Sequence, residues 1–399
     1  MNMVDWTSLV GRDGQLNPQL AVHIEIVYTG LHGHSVQRFW LEDGSSYIYK
    51  PLPQGEHTFR EIRAYLQVMP LLETLSTSPQ YPQLLVCAAP AEEQAKLHQW
   101  ATNAENDTAG MPQYIIHPSC WIVMEDIGVL NHVHADEQLL QIVEQMAYWH
   151  RVDVGHLIAF PQVGQKPPLS DVAASILSRW QQAQQILLQL PAIRSSQGFD
   201  LFDTHATEPD SQQVTDQWLP ILQHDIAEMV QCLASQSPVL LHGDLHAGNY
   251  GVNPQGQLIL LDWEHSHLGS RFWDLYHLID LSHPLFPRVM NAALRHSLLE
   301  RYWLTERALR ASSESSEREQ DSMGLAQQYM SFASFEHDYL VYAIVYSLWM
   351  LLLIQNDLLH EPPIWPRAQL LAQQTETEQH LKQCVERWLS VRKHTVDES

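Results

Sequence analysis

The chain opens with short runs in which polar and apolar positions alternate. His23 to Tyr28 is the first, and Val36 to Glu42 and Ser46 to Lys50 follow. Alternation at period two puts one side of a strand against a core. Glu42-Asp43-Gly44-Ser45, between the second and third runs, has the composition of a hairpin turn. Pro51 and Pro53 close the third run. The period then changes, and Phe59, Ile62, Leu66 and Met69 fall on one face of a helix. Gln83 to Ala88, Tyr114 to Ile116 and Trp121 to Glu125 return to strand-like patterns. The polar stretch Ala91 to Gly110 reads as a surface insertion.

Helical patterns dominate the rest. Gln138 to His150 is amphipathic, and Leu169 to Leu190 and Val214 to Leu233 are long and rich in Gln. Two short apolar runs interrupt them, Val239 to Leu241 and Leu258 to Leu261, before helices resume at Phe272. Ala311 to Ser322 is rich in Ser and Glu and reads as an exposed loop. The longest apolar run, Tyr339 to Ile354, is short for a bilayer span and contains Ser347, so it reads as a buried helix. The pattern predicts an α+β chain of two lobes. Residues 1–127 form a β-rich lobe around a small antiparallel sheet, and residues 128–399 form a larger, mainly helical lobe.

Composition narrows the function. Apolar residues make up 45% of the 399, enough for a large core, which argues against wholesale disorder. Lys and Arg number 22 against 46 Asp and Glu, a formal charge of −24. Nucleic acids and anionic membranes need positive potential, so neither is an expected partner. A cationic or metal-chelated ligand is compatible with that charge. Cys87, Cys120, Cys232 and Cys384 are far apart, which argues against a disulfide scaffold or a cysteine zinc site and fits a reducing cytoplasm. Residues 1–19 lack a basic segment followed by an apolar one, so no signal peptide is expected. Three His-x-His pairs, His32/His34, His132/His134 and His265/His267, have no third ligand at metal spacing.

The chemistry concentrates in His242-Gly243-Asp244-Leu245-His246-Ala247-Gly248-Asn249 and in Leu260-Leu261-Asp262-Trp263-Glu264. Each segment follows a short apolar run. Two strands joined by a tight turn would bring Asp244, Asn249 and Asp262 to one edge. A carboxylate such as Asp244 can hold a hydroxyl and take its proton as it attacks. Asn249 and Asp262 offer hard oxygen ligands, and magnesium takes one or two of these with water and phosphate oxygens. Singly, the three have ordinary readings as turn or capping residues. Together, at this spacing, they suit phosphoryl transfer.

These segments resemble the aminoglycoside phosphotransferase and choline kinase family of protein-kinase-like small-molecule kinases, whose pattern is HGDLHxGN followed by hDWE or hDFE. The resemblance is sharp over Ser237 to Leu281 and extends to Ile24 to Val152. It implies a two-lobed protein-kinase-like fold and ATP and magnesium as cofactors. By it, Asp244 is the catalytic base, Asn249 and Asp262 hold magnesium, and Asp274 and His242 brace the catalytic loop. It also requires a Lys on the third strand, gripping the phosphates and held by a helix Glu. Lys50 closes that strand, and Glu61 lies on the following helix. Periodicity alone does not separate Glu61 from Glu56; the family pattern favours Glu61. Val123 to Gly128 matches the linker between lobes, with the Glu125 carbonyl and Ile127 amide at the adenine edge.

The chain departs from kinases in two places. The loop Tyr28 to Ser35 has no G-x-G-x-x-G, although Gly30 and Gly33 allow close backbone approach. Its phosphate contacts stay unassigned. Position 246, two residues after the catalytic acid, is His where protein kinases carry Lys, which favours a small-molecule acceptor over a protein. Between Arg194 and Arg271 there is no Lys or Arg but there are ten acids, which leans toward a cationic acceptor. The expected activity is ATP- and magnesium-dependent transfer of the γ-phosphate to a small-molecule hydroxyl. Two alternatives stay open: a kinase-shaped binding or regulatory module without turnover, motivated by the irregular nucleotide loop, and a protein kinase.

Overall fold

The computed structural model describes residues 4–29, 33, 35–52, 59–102, 112–132, 135–157, 159–190, 211–313 and 331–397. The alternating runs become β1 (His23–Thr29), β2 (Ser35–Trp40), β3 (Ser46–Pro51), β4 (Leu84–Ala89), β5 (Gln113–Ile116) and β6 (Trp121–Glu125). They form one sheet in the order β1-β2-β3-β6-β4-β5. The β2–β3 turn needs Gly44, whose φ is +83°.

The sheet is not wholly antiparallel as expected, because β5 runs parallel to β4. Parallel neighbours need a crossover connection, and the stretch expected to be a surface insertion supplies it. Within it, α3 (Gln94–Thr102) buries Leu97, Trp100 and Ala101 in a cluster with Ile62, Leu66 and Ile122. Its apolar stripe is only these positions, too narrow to stand out among the surrounding polar residues. Residues 103–110 of that stretch lie outside the described residues.

The helix after β3 is α1 (Arg60–Arg63), a π-helical turn (Ala64–Val68) and α2 (Met69–Glu73). Ile62, Leu66 and Met69 are buried as the periodicity requires. They serve two cores. Ile62 and Leu66 join the cluster under the sheet, while Ala64, Val68, Met69 and Leu72 join the large helical core. One helix therefore packs in both lobes of this two-lobed α+β fold.

The second lobe contains α4 (Asp136–Trp149), α5 (Leu169–Ser178), α6 (Trp180–Gln189), α7 (Ser211–Ala234), α8 (Phe272–Ile279), α9 (Ala292–Ser313), α10 (Phe332–Leu359) and α11 (Arg367–Asp397). The expected single helix over 169–190 is broken at Arg179, where φ is −111° and ψ is 31°. The start of the expected loop 311–322 continues α9 to Ser313, and the rest lies outside the described residues. By length and composition α10 could cross a membrane, but 67% of its most apolar window is buried inside the protein. Every residue from Tyr339 to Leu348 is buried, and α5, α7, α8, α9 and α11 pack around it.

Charges buried between these helices are paired. Asp280, at the end of α8, accepts hydrogen bonds from Arg295 of α9 and from the Tyr339 hydroxyl of α10. Asp225 of α7 meets Arg392 and the Trp388 indole of α11 and His337 of α10. Burial alone would lower the His337 pKa, but Asp225 and Asp338 raise it to about 9. A histidine raised in the folded state stabilises fully below its unfolded value, near 6.5, and the contribution is lost as pH rises through about 9. Thermal stability is therefore expected to fall between pH 6.5 and 9.5, by on the order of 2 kcal/mol from this group. His337→Gln should flatten that slope in melting curves recorded across the interval.

Candidate active site

The expected hairpin between Val239–Leu241 and Leu258–Leu261 does not form. Instead β7 (Val239–Leu241) pairs with β10 (His267–Gly269), and β8 (Tyr250–Val252) pairs with β9 (Leu258–Leu260). β8 and β10 are three residues long, too short to show alternation. The two motif segments still meet. The Leu261 amide donates to the Asn249 carbonyl at 2.8 Å, and His242 Nε2 donates to the Leu261 carbonyl at 2.8 Å.

The loop after β7 is fixed from below. Asp274, on the first turn of α8, accepts the His242 amide at 2.8 Å and the Gly243 amide at 3.0 Å. The Trp149 indole and the His150 ring nitrogen, from the end of α4, complete its shell at 3.2 and 3.3 Å. The neighbouring Trp273 indole donates to the Gly243 carbonyl at 2.8 Å. Gly243 has φ of +89°, and a Cβ there would stand 2.0 Å from the His265 carbonyl oxygen. Asp274 and His242 thus occupy the bracing positions that the family pattern implies for them. Trp149 and His150 were not singled out in the sequence, where they read only as the end of an amphipathic helix.

Lys50 joins the lobes. Its ammonium is 2.6 Å from Glu61 Oε2, 3.1 Å from Asp262 Oδ1 and 3.6 Å from Glu264 Oε2. Burial would push the ammonium down, but Asp262, Glu61 and Glu264 hold it well above its ordinary value. Burial raises Glu61 to about 7 against the pull of Lys50. Glu61 is therefore the partner of Lys50; Glu56 lies outside the described residues. Asp262 sits in the left-handed region, φ 60° and ψ 62°, which Asp tolerates better than most residues.

The donor set suits magnesium. The side-chain amide of Asn249 donates to the Asp244 carbonyl at 2.8 Å, which turns its oxygen the other way. That oxygen and the Asp262 carboxylate are hard ligands of the kind magnesium takes alongside water and phosphate. Glu61, Asp262 and Glu264 have carboxylate oxygens within 4.8 Å of one another, and Lys50 is the cation they share. Three carboxylates around one ammonium leave an excess that a divalent cation matches. Glu264 is a contributor that the sequence displays only as part of its motif.

Asp244 is flanked by histidines. His246 Nε2 is 3.7 Å from Oδ2, and His277 Nδ1 is 3.5 Å from Oδ1. These are long for hydrogen bonds, as is common before a substrate draws a site together. Burial would raise the Asp244 pKa, but His277, His246 and Lys166 hold the carboxyl far below its usual range. Burial and the Lys166 charge push the His277 ring down to about 3, so it is neutral at pH 7. Lys166 Nζ lies 3.5 Å from His277 Nε2. An ammonium facing Nε2 favours the tautomer whose Nδ1–H points at Asp244. His277 is three residues after Asp274 on the same helix, so one face of α8 meets residues 242, 243 and 244. Neither His277, whose signal was its spacing from Asp274, nor Lys166, which lies in a stretch without pattern, was singled out in the sequence.

On the other strand-end, Glu125 is the last residue of β6, and its amide donates to the Gln83 carbonyl at 2.9 Å. Ile127 precedes Gly128, which has φ of +83° and whose amide donates to Asp126 Oδ1 at 3.0 Å. Arg38 holds Asp126 at 2.9 Å. Gly33 has φ of +78°, with open space around it. Gly30 lies outside the described residues.

Residues 29–309 match the family model of the phosphotransferase enzyme family. The chain belongs to the phosphotransferase enzyme family. Solved structures similar to this phosphotransferase include an aminoglycoside phosphotransferase from Alicyclobacillus acidocaldarius. It is 15% identical, with a TM-score of 0.45 over 95% of this chain and 96% of that one. A Plasmodium vivax ethanolamine kinase is 11% identical, with a TM-score of 0.42 over 91% of this chain and 83% of that one. A Streptococcus pneumoniae choline kinase is 14% identical, with a TM-score of 0.36 over 91% and 94%. No curated protein matches the sequence.

Asp274→Asn in this phosphotransferase replaces one acceptor oxygen by a donor facing buried N–H groups. It is expected to cost about 3 kcal/mol of stability. The amides of His242 and Gly243 should lose their hydrogen-exchange protection first. Unchanged protection of those two amides would show that the loop is held some other way.

Proposed function

We propose that this phosphotransferase moves the γ-phosphate of ATP, with magnesium, to a hydroxyl of a small molecule. The supporting observation is that Lys50 of β3 contacts both Glu61 of α1 and Asp262 beyond β9, which joins the nucleotide-gripping and metal-holding groups in one crevice. The proposed division into a nucleotide lobe, residues 1–127, and a catalytic lobe, residues 128–399, follows from that junction. A cytoplasmic setting is proposed from four free cysteines, three of them buried.

Lys50, held by Glu61, grips the α- and β-phosphates, and the Glu125 carbonyl and Ile127 amide meet the adenine edge. Gly30 and Gly33 are proposed to let the backbone approach the phosphates. Asn249 and Asp262 would hold magnesium, which neutralises charge on the phosphate oxygens. Asp244 accepts a hydrogen bond from the acceptor hydroxyl and aims its oxygen at the γ-phosphorus. As that O–P bond forms, the bond from phosphorus to the β–γ bridging oxygen breaks, ADP leaves, and Asp244 takes the proton. In a loose transition state the proton moves late, so the chief work of Asp244 is orientation.

The lean toward a cationic acceptor rests on ten acids, of which several are engaged elsewhere and the side chain of Asp216 is not described. Asp225 is spent on Arg392 and His337, and Asp262 and Glu264 face Lys50. Glu228 is exposed beside His224. Asp200, Asp203, Glu208 and Asp210 lie outside the described residues.

Asp244→Asn is expected to lower kcat by about a thousandfold while ATP affinity stays within a few-fold, measured by ADP release and calorimetry. Asp262→Asn should abolish the magnesium dependence of ATP binding in the same titration. Turnover surviving Asp244→Asn would show that another group orients the hydroxyl, whereas ATP binding with no ADP release in the unmutated protein over any acceptor would favour the silent binding module.

A further inference from the structure

Resting on the phosphotransfer reading, we propose that the acceptor is an alcohol carrying an anionic group, carboxylate or phosphate, and that Lys166 binds that group. Lys166 is half-buried and, among the described residues, has no carboxylate at ion-pairing distance; its polar contact is His277 Nε2 at 3.5 Å. The charge it feels is that of Asp244, beyond the His277 ring, so the ammonium has no direct ion pair among the described residues and can take a further anion. One imidazole ring separates this ammonium from Asp244, the group that orients the hydroxyl.

Space for the anion adjoins the lysine. A cavity of about 70 Å³ is lined by Lys166, Gly164, Leu241, Trp273, Tyr342 and Tyr346. Trp273 stacks on His277 with ring centroids 4.8 Å apart, so the cavity borders the Lys166–His277 pair. Its close wall depends on Gly164, where a Cβ would stand 2.4 Å from the His267 ring.

The charges around Asp244 point the same way. His246, His277 and His283 are pushed toward the neutral form, in each case chiefly by burial. His246 and His283 stack with centroids 4.3 Å apart, which makes an uncharged aromatic wall. An amine beside Lys166 would meet an opposing ammonium, with Asp244 already engaged with the hydroxyl. A carboxylate or phosphate in the cavity would meet the Lys166 ammonium.

The test uses the full-length protein with D-glycerate, glycerol 3-phosphate, a wider set of short hydroxy acids and alcohol phosphates, ethanolamine, choline and glycerol. Binding is read by calorimetry without nucleotide, and turnover by ADP release. At least one anionic alcohol should bind saturably and stimulate ADP release. Lys166→Gln should raise its KM tenfold or more with a smaller effect on kcat, and Lys166→Arg should restore most of the loss. Circular dichroism of each variant guards against misfolding. Comparing hydroxy acids with alcohol phosphates tells which anion fits. Two results overturn the proposal: turnover of an amine or neutral alcohol with a KM that Lys166→Gln leaves unchanged or lowers, or no binding by any anionic alcohol. Magnesium-dependent ATP binding is measured separately. Its absence alongside intact, Lys166-dependent anion binding would sink the phosphotransfer reading and leave the anion site standing.

Discussion

The arrangement depends on one ammonium. Lys50 is drawn toward Glu61, Asp262 and Glu264, which reach it from two different parts of the chain. A lysine buried without those partners would shed its proton. With them it stays charged, and the surplus passes to the carboxylates. Glu61, raised to about 7, carries the strain. Proton uptake at Glu61 would relieve the same excess of negative charge that a divalent cation beside Asp262 would relieve.

A second constraint fixes where that chemistry happens. Asp244 is aimed by its backbone, and the backbone is held by Asp274 through two amides. Asp274 is itself fully buried and held by Trp149 and His150. Burial would raise its carboxyl, but the hydrogen bond and charge of His150 and the Gly243 amide keep it near 2. It is therefore ionised and bonded at working pH. Gly243 closes the arrangement, since any side chain there would collide with the His265 carbonyl. The loop is rigid through covalent shape and satisfied polar groups, as preorganised catalysis requires.

How much of this the sequence displayed follows from the range of each interaction. Lys50 and the choice of Glu61 over Glu56 came from the family resemblance, whereas the motif residues Asp244, Asn249 and Asp262 were legible because their chemistry restricts residue type at fixed spacing. The long apolar face of α10 was legible for the same local reason. Strand pairing was not. β7 and β9 were visible as apolar runs, yet their partners are three-residue strands that carry no period. The parallel β5 depended on a crossover helix whose apolar stripe is Leu97, Trp100 and Ala101. Lys166 was hidden because its meaning comes from His277, 111 residues away.

The two sides of the proposed reaction centre differ in charge, and the difference has a consequence for substrate choice. On the proposed nucleotide side, carboxylates outnumber the single ammonium, a setting that repels a bare polyphosphate and would admit one whose charge a divalent cation offsets. On the proposed acceptor side, the full charges acting around Asp244 include Lys166 and Asp262, and the flanking imidazoles of His246 and His283 are pushed toward the neutral form by burial. The strongly negative composition of the whole chain therefore does not predict the charge that the acceptor meets. Long-range potential attracts ligands to a surface, but burial and pairing decide what a crevice accepts. A chain of −24 can in this way keep a cation, Lys166, one imidazole ring away from Asp244.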